Sequence, residues 1–198
     1  MGSMTIQVLF IQGGGENVHD QWDDVLAESL ERNLGSGYSV LYPRMPNEAD
    51  PQYAAWRATL LEQFNSLKDG DFVVGHSVGG TIVLRVLAEQ PRIPRLGGIF
   101  LIAPPFIGDG GWSIDDFAPL ADLSEQLPGG IPLFFYHAKD DDTVPIAHVH
   151  LYAKAIPRAV VRILECGGHQ LENDSSEVAR DIRSLQSSSS STTGARGI

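Results

Sequence analysis

The stretch Phe72-Val73-Val74-Gly75-His76-Ser77-Val78-Gly79-Gly80 decides how this chain is read. Phe72 to Val74 is a short, continuous apolar run of the kind a strand buried on both faces shows, and Val78 to Glu89 carries helical period. Between them stands G-x-S-x-G, a weak signal alone and a much stronger one in a strand, turn and helix setting. A serine held on so sharp a turn needs neighbours without side chains, so that strand and helix approach closely and the hydroxyl stands clear. The helix that follows aims its free N–H groups at the point where negative charge develops in acyl transfer.

Similar apolar runs lie at Ile6 to Ile11, Tyr38 to Tyr42, Gly98 to Ile102, Leu133 to Tyr136 and Val160 to Leu164. Segments of helical period separate them. Asp50-Pro51 supplies an N-cap with a proline at the first helical position, and Asp174 with Glu177 forms a capping-box-like pair. Gly35 closes the helix that begins near Asp20, and Pro145 opens another. Strands alternating with helices predict an α/β fold: six mainly parallel strands flanked by helices on both faces. One connection, residues 103–130, is long enough to suggest a functional loop, and its Phe106, Trp112, Ile114 and Phe117 are suited either to covering a small acyl or aromatic group or, equally, to packing. Residues 4–186 read as a single domain and 187–198 as a disordered Ser/Thr-rich tail, with Met1-Gly2-Ser3 an expression remnant.

The 198 residues carry 25 acidic and 14 basic side chains, a formal net charge of −11. Such a surface repels phosphate backbones and anionic lipid, so neither nucleic acid nor a membrane is an expected partner. Val8 to Ile11 is far too short to span a bilayer and has no basic leader, so no targeting segment is expected. Cys166 is the single cysteine, which forbids an internal disulfide and points to a reducing, cytoplasmic setting. At the end of a strand it reads as a small apolar residue.

A serine hydroxyl is a poor nucleophile and requires a base with a group to orient it. Of the histidines, only His169, in Gly167-Gly168-His169, follows the last strand on the carboxyl side of the sheet, downstream of an acid. That acid is offered by Asp140-Asp141-Asp142, of which two read as solvated turn residues. His76 reads as a packed residue of the turn that also borders the substrate. His148 and His150, two apart, cannot share a zinc, and His137 has no second ligand cluster, so neither metal nor organic cofactor is expected. Gly13-Gly14-Gly15 does not complete G-x-G-x-x-G, because Val18 holds the last position.

With these motifs in hand, the chain resembles a small α/β-hydrolase, similar to the compact lidless serine hydrolases related to the retinoblastoma-binding hydrolase group. The likeness rests on "FIQGGG", "YPRMPNEADPQYAAW", "VVGHSVGG", "HAKDDDTVP" and "GGHQLEN", and runs from about Ile6 to Leu185. It implies a Ser77, Asp141, His169 triad, Asp141 being selected by its place in the D-x-x-V-P stretch. It further implies backbone oxyanion donors at Val78 and at Gly14, with Gly13 beside the substrate, a strand order of 2-1-3-4-5-6, and hydrolysis of a carboxylic ester or related acyl bond. Gln12 stands where the family often has histidine, a change that a backbone donor tolerates. Leu164 to Gly168 lacks the glutamate of a retinoblastoma-pocket motif, so that partner is not carried over. The expected partner is a small acyl substrate; the alternative is a binding or signalling module that keeps the pocket without turnover.

Overall fold

Each apolar run is a strand; the three central ones after the first, Phe72–His76, Gly98–Ile102 and Leu133–Ala138, are buried along their whole length with a core on both sides, while the edge runs at Tyr38–Leu41 and Val160–Leu164 are only partly covered. In the computed structural model, which describes residues 5–90, 93–114, 119 and 122–193, the strands are β1 (Ile6–Ile11), β2 (Tyr38–Leu41), β3 (Phe72–His76), β4 (Gly98–Ile102), β5 (Leu133–Ala138) and β6 (Val160–Leu164). All neighbours are parallel, in the order β2-β1-β3-β4-β5-β6. Parallel pairing forces a crossover between successive strands. These supply the helices α1 (Val18–Gln21), α2 (Asp23–Leu34), α3 (Tyr53–Ser66), α4 (Ser77–Glu89), α5 (Leu123–Gln126) and α6 (Ala147–Ala155), and α7 (Ser176–Thr193) follows the last strand.

Successive strand residues face opposite cores. Leu9, Val73, Leu101 and Phe135 pack with Trp56, Leu60 and Phe64 of α3, Ile82 and Val86 of α4, and Tyr152 of α6. Val8, Phe10, Val74, Phe100 and Phe134 pack with Leu26 and Leu30 of α2 and Val178 and Ile182 of α7. Each fully buried side chain of this size contributes about 1.5–3 kcal/mol, so both layers are needed to hold the sheet. The order reverses between β1 and β3, opening a crevice beyond their carboxyl ends.

Several element ends differ from the sequence reading. Helix α3 begins at Tyr53 with Gln52 as N-cap rather than at Pro51, and Trp22 breaks the helix expected from Asp20 into α1 and α2. Helix α7 continues past Gln186 to Thr193, into the stretch 187–198 where a disordered tail is expected, of which 194–198 lie outside the described residues. In α7, Ser187 and Ser188 donate their hydroxyls back to the carbonyls of Arg183 and Ser184, which satisfies the hydroxyls within the helix. Among the described residues no helix is long and apolar enough to cross a membrane.

Candidate active site

The loops after β1, β3, β5 and β6 meet over the crevice, and each brings a group nominated by the sequence. Ser77, the first residue of α4, has φ 50°, a left-handed conformation that costs a residue with a side chain about 1–3 kcal/mol. Close glycine packing keeps it there. A Cβ at Gly75 would lie 2.7 Å from the Gly80 Cα, and one at Gly79 only 2.0 Å from the Gln12 carbonyl oxygen. The turn is thereby pressed against both its own helix and the loop after β1.

The Ser77 Oγ lies 2.9 Å from His169 Nε2, and His169 Nδ1 lies 2.9 Å from Asp141 Oδ2. The other oxygen of Asp141 accepts the backbone N–H groups of Thr143 and Val144 at 2.9 and 2.8 Å. His137 Nε2, which donates to the Val144 carbonyl at 2.7 Å, is also 3.3 Å from Asp141 Oδ2. Burial pushes the Asp141 carboxyl up, but these hydrogen bonds from His137, His169 and Val144 outweigh it and hold the group well below the ordinary carboxylate range. For His169 burial prevails over the attraction of Asp141, and the imidazole is held below its ordinary value, uncharged at neutral pH.

His169 is held in place by its own loop. Asp140, an exposed turn residue as expected, accepts the N–H groups of Gly167 and Gly168 at 3.3 and 2.9 Å and so also anchors the loop. Beyond His169, Leu171, Glu172 and Asn173 all have positive φ, 49°, 53° and 59°, forming a tight turn into α7. The Glu172 N–H closes it on the Gly167 carbonyl at 2.7 Å.

The loop after β1 is clamped on either side of Gly14. The Gly13 N–H donates to Asp23 Oδ2 at 2.7 Å and the Gly15 N–H to the Glu48 carbonyl at 2.7 Å. Buried Gln12 ties the same loop to Glu48 through its Nε2 and to the Met45 N–H through its Oε1. Between the clamps, the Gly14 N–H has no acceptor among the described residues. Val78 follows Ser77 in the first turn of α4, whose N–H groups lack intrahelical acceptors. Two backbone donors are thus free beside the serine.

A cavity of about 560 Å³ opens over these groups, lined by Gly13, Gly14, His76, Ser77 and His169 on its floor and by Val18, Trp22, Asp142 and Glu172 among its other walls. Trp22 is 56% exposed, the largest apolar surface on that wall. Sequence reading missed it, along with Asp23 and Gln170, and gave His137 and Asp140 no part in holding the site; a tryptophan ahead of an amphipathic helix was the only signal available. Phe106 and Trp112 are corrected, since neither lines the cavity. The segment after β4 is drawn away by the Pro105 carbonyl, which accepts from Thr81 Oγ1 at 2.7 Å and Tyr152 Oη at 2.9 Å. Phe106 then packs on Tyr152, and Trp112 on His148. Phe117 lies outside the described residues. His76 borders the cavity, but both its ring nitrogens are committed to protein partners. Cys166 is exposed rather than packed.

An ionisable acid, an imidazole and a hydroxyl in series, beside two free N–H donors, can move a proton from the hydroxyl and stabilise an adjacent oxyanion. Known proteins share this architecture. The ydeN gene product of Bacillus subtilis (strain 168) is 27% identical over 180 residues, covering 86% of this chain and 89% of that protein. Its crystal structure superposes with a TM-score of 0.70 over 92% of this chain and all of that one. Esterase Rv0045c of Mycobacterium tuberculosis is 31% identical over 104 residues, 46% of this chain and 31% of the relative. A serine hydrolase involved in carbazole degradation, CarC, shares the fold at TM-score 0.69 and 16% identity, over 94% of this chain and 92% of its own. Residues 9–178 match the family described as Serine hydrolase, and the chain belongs to that family, on an α/β-hydrolase fold.

Proposed function

We propose that the protein hydrolyses a carboxylic ester, or a closely related acyl bond, through Ser77, His169 and Asp141 by way of an acyl-enzyme. The observation that carries this reading is the unbroken hydrogen-bonded series from Ser77 Oγ through His169 to Asp141, opening into a solvent-accessible cavity. As Ser77 Oγ attacks the carbonyl carbon, its proton passes to His169 Nε2. The carbonyl oxygen becomes an oxyanion between the Gly14 and Val78 N–H groups, each such donor being worth about 3–4 kcal/mol in transition-state stabilisation. Asp141 holds the imidazole with Nδ1 protonated and stabilises its cation. Collapse breaks the bond to the leaving alcohol, which takes the proton from Nε2. Water, deprotonated by the same nitrogen, then attacks the acyl group and releases the acid and Ser77.

The cavity wall argues for a small, uncharged or cationic substrate. Val18 and Trp22 offer an apolar surface, Asp142 and Glu172 are acidic, and among the described residues no lysine or arginine lines it. Within the family we place the chain beside the compact hydrolases related to the retinoblastoma-binding group, supported by a post-β4 segment whose described part packs on α4 and α6. The absence of a disulfide partner for Cys166 favours a cytoplasmic setting. The alternative of a pocket without turnover has less support, since a retired site has no need to keep Ser77 in its strained conformation. Hydrolysis of p-nitrophenyl esters of increasing acyl length tests the proposal. The wild type should turn over short esters with a burst, and Ser77→Ala should not; equal rates in the two proteins would overturn it.

A further inference from the structure

Asp23 and His76 form a second buried acid and imidazole pair beside the triad, and the proposed reaction leaves it unused. Asp23 opens α2, His76 ends β3, and both side chains are almost wholly shielded from solvent. His76 Nδ1 lies 2.9 Å from Asp23 Oδ2, and Nε2 lies 3.1 Å from the backbone carbonyl oxygen of His169. A carbonyl can only accept, so Nε2 carries a proton. Asp23 Oδ2 already accepts the Gly13 N–H at 2.7 Å, and Oδ1 accepts Gln170 Nε2 at 3.1 Å, a donor set that suits a carboxylate and not a carboxylic acid. Nδ1 therefore also carries a proton.

We propose that His76 is an imidazolium at neutral pH, paired with Asp23, that positions the His169 loop against the oxyanion loop and keeps the His169 base uncharged. One carboxylate reaches three of the four loops that build the site: Gly13 directly, the serine turn through His76, and the His169 loop through both His76 and Gln170. The His76 and His169 rings lie 4.8 Å apart, so a proton on His169 would face a like charge across that gap. Other charges face His169 as well: Asp141 from the loop after β5, Asp23 from α2, and at the cavity wall Asp142 and Glu172. The carboxylates favour its cation and His76 opposes it. Facing His76 are Asp23, His169 and, farther off, Asp141, and the two carboxylates outweigh burial to raise its pKa. A base restrained in this way is a stronger proton donor once charged, which helps expel the leaving alcohol. His76 is on this account a positioning residue, acting through His169.

The charge on His76 stands on its own geometry, whereas its effect on the base rests on the proposed hydrolase reading, and two measurements separate them. In 15N-labelled wild type, long-range ring correlations should show both His76 nitrogens protonated and unchanged between about pH 6 and 8. A bare ring nitrogen, or titration within that window, would overturn the proposal. In His76→Gln, the midpoint of the pH dependence of fluorophosphonate inactivation should move up by about half a unit or more. A folded variant with an unmoved midpoint would also overturn it. Should the variant not fold, the wild-type spectrum decides. Should the wild type not react with the probe, the hydrolase reading fails while the spectrum still tests His76.

Discussion

Replacing Gly79 by alanine sets two opposed effects of known size against each other. Gly79 lies within α4, where alanine is favoured over glycine by about 1 kcal/mol, so helix propensity alone predicts a more stable protein. The added Cβ, however, would stand 2.0 Å from the Gln12 carbonyl oxygen and 3.0 Å from both the Gln12 carbonyl carbon and Ile11 Cγ2. The first neighbour is backbone at the end of β1 and cannot rotate away, so the loop after β1 and the serine turn must separate by about 1 Å or more. Overpacking of this kind costs about 1–3 kcal/mol, and a backbone clash so short belongs at the upper end. The net expectation is a loss of about 2 kcal/mol, or about 4–8 °C in Tm for a protein of this size. Moving Gly14 by 1 Å from its place beside Ser77 should also lower kcat/KM about 100-fold. Thermal unfolding and ester kinetics read both effects, with Gly129→Ala as control because a Cβ there meets nothing within 4 Å. A Gly79→Ala protein as stable and active as the wild type would refute the close approach of turn and loop.

Asp141→Asn should lower kcat about 10⁴-fold, because the amide no longer requires a proton on His169 Nδ1; steady-state kinetics with the folded variant reads this, and a loss under 10-fold would remove Asp141 from its role. The pH profile follows from His169: only the neutral imidazole accepts the Ser77 proton, and its pKa is held below 6.5, so kcat/KM should fall on acidification with a midpoint below 6.5. A midpoint above 7 contradicts that sign. Asp142 and Glu172 at about 7 Å from a bound group in a water-like dielectric each repel an anion by about 0.6 kcal/mol. Esters carrying a carboxylate should therefore have kcat/KM about 8-fold below neutral ones of the same size, a gap that added salt narrows.

The sheet was legible because strands buried on both faces leave uninterrupted apolar runs, and the order of the motifs matched the order of the loops around the crevice. Ser77 and His169 stood out for the same reason: each follows a strand through glycines that open the turn. Asp23 left no such mark. It is followed by Asp24, and only the packing of α2 turns the first inward and leaves the second partly exposed. Phe106 and Trp112 were assigned to the substrate, with packing as the equal alternative, because an apolar residue after β4 can turn toward the cavity or toward α6, and packing is what the structure shows. The hydrogen bonds of Thr81 and Tyr152 to the Pro105 carbonyl choose α6, and those partners are far away in sequence. The serine run after Gln186 failed for a local reason, since composition does not register a hydroxyl that bonds back along its own helix.

Treatment with a fluorophosphonate followed by intact and peptide mass spectrometry tests the central claim most directly. One adduct per chain is predicted, located on Ser77, formed faster as His169 loses its proton and abolished in Ser77→Ala. An unreacted wild type, or an adduct that persists in Ser77→Ala, would contradict the account.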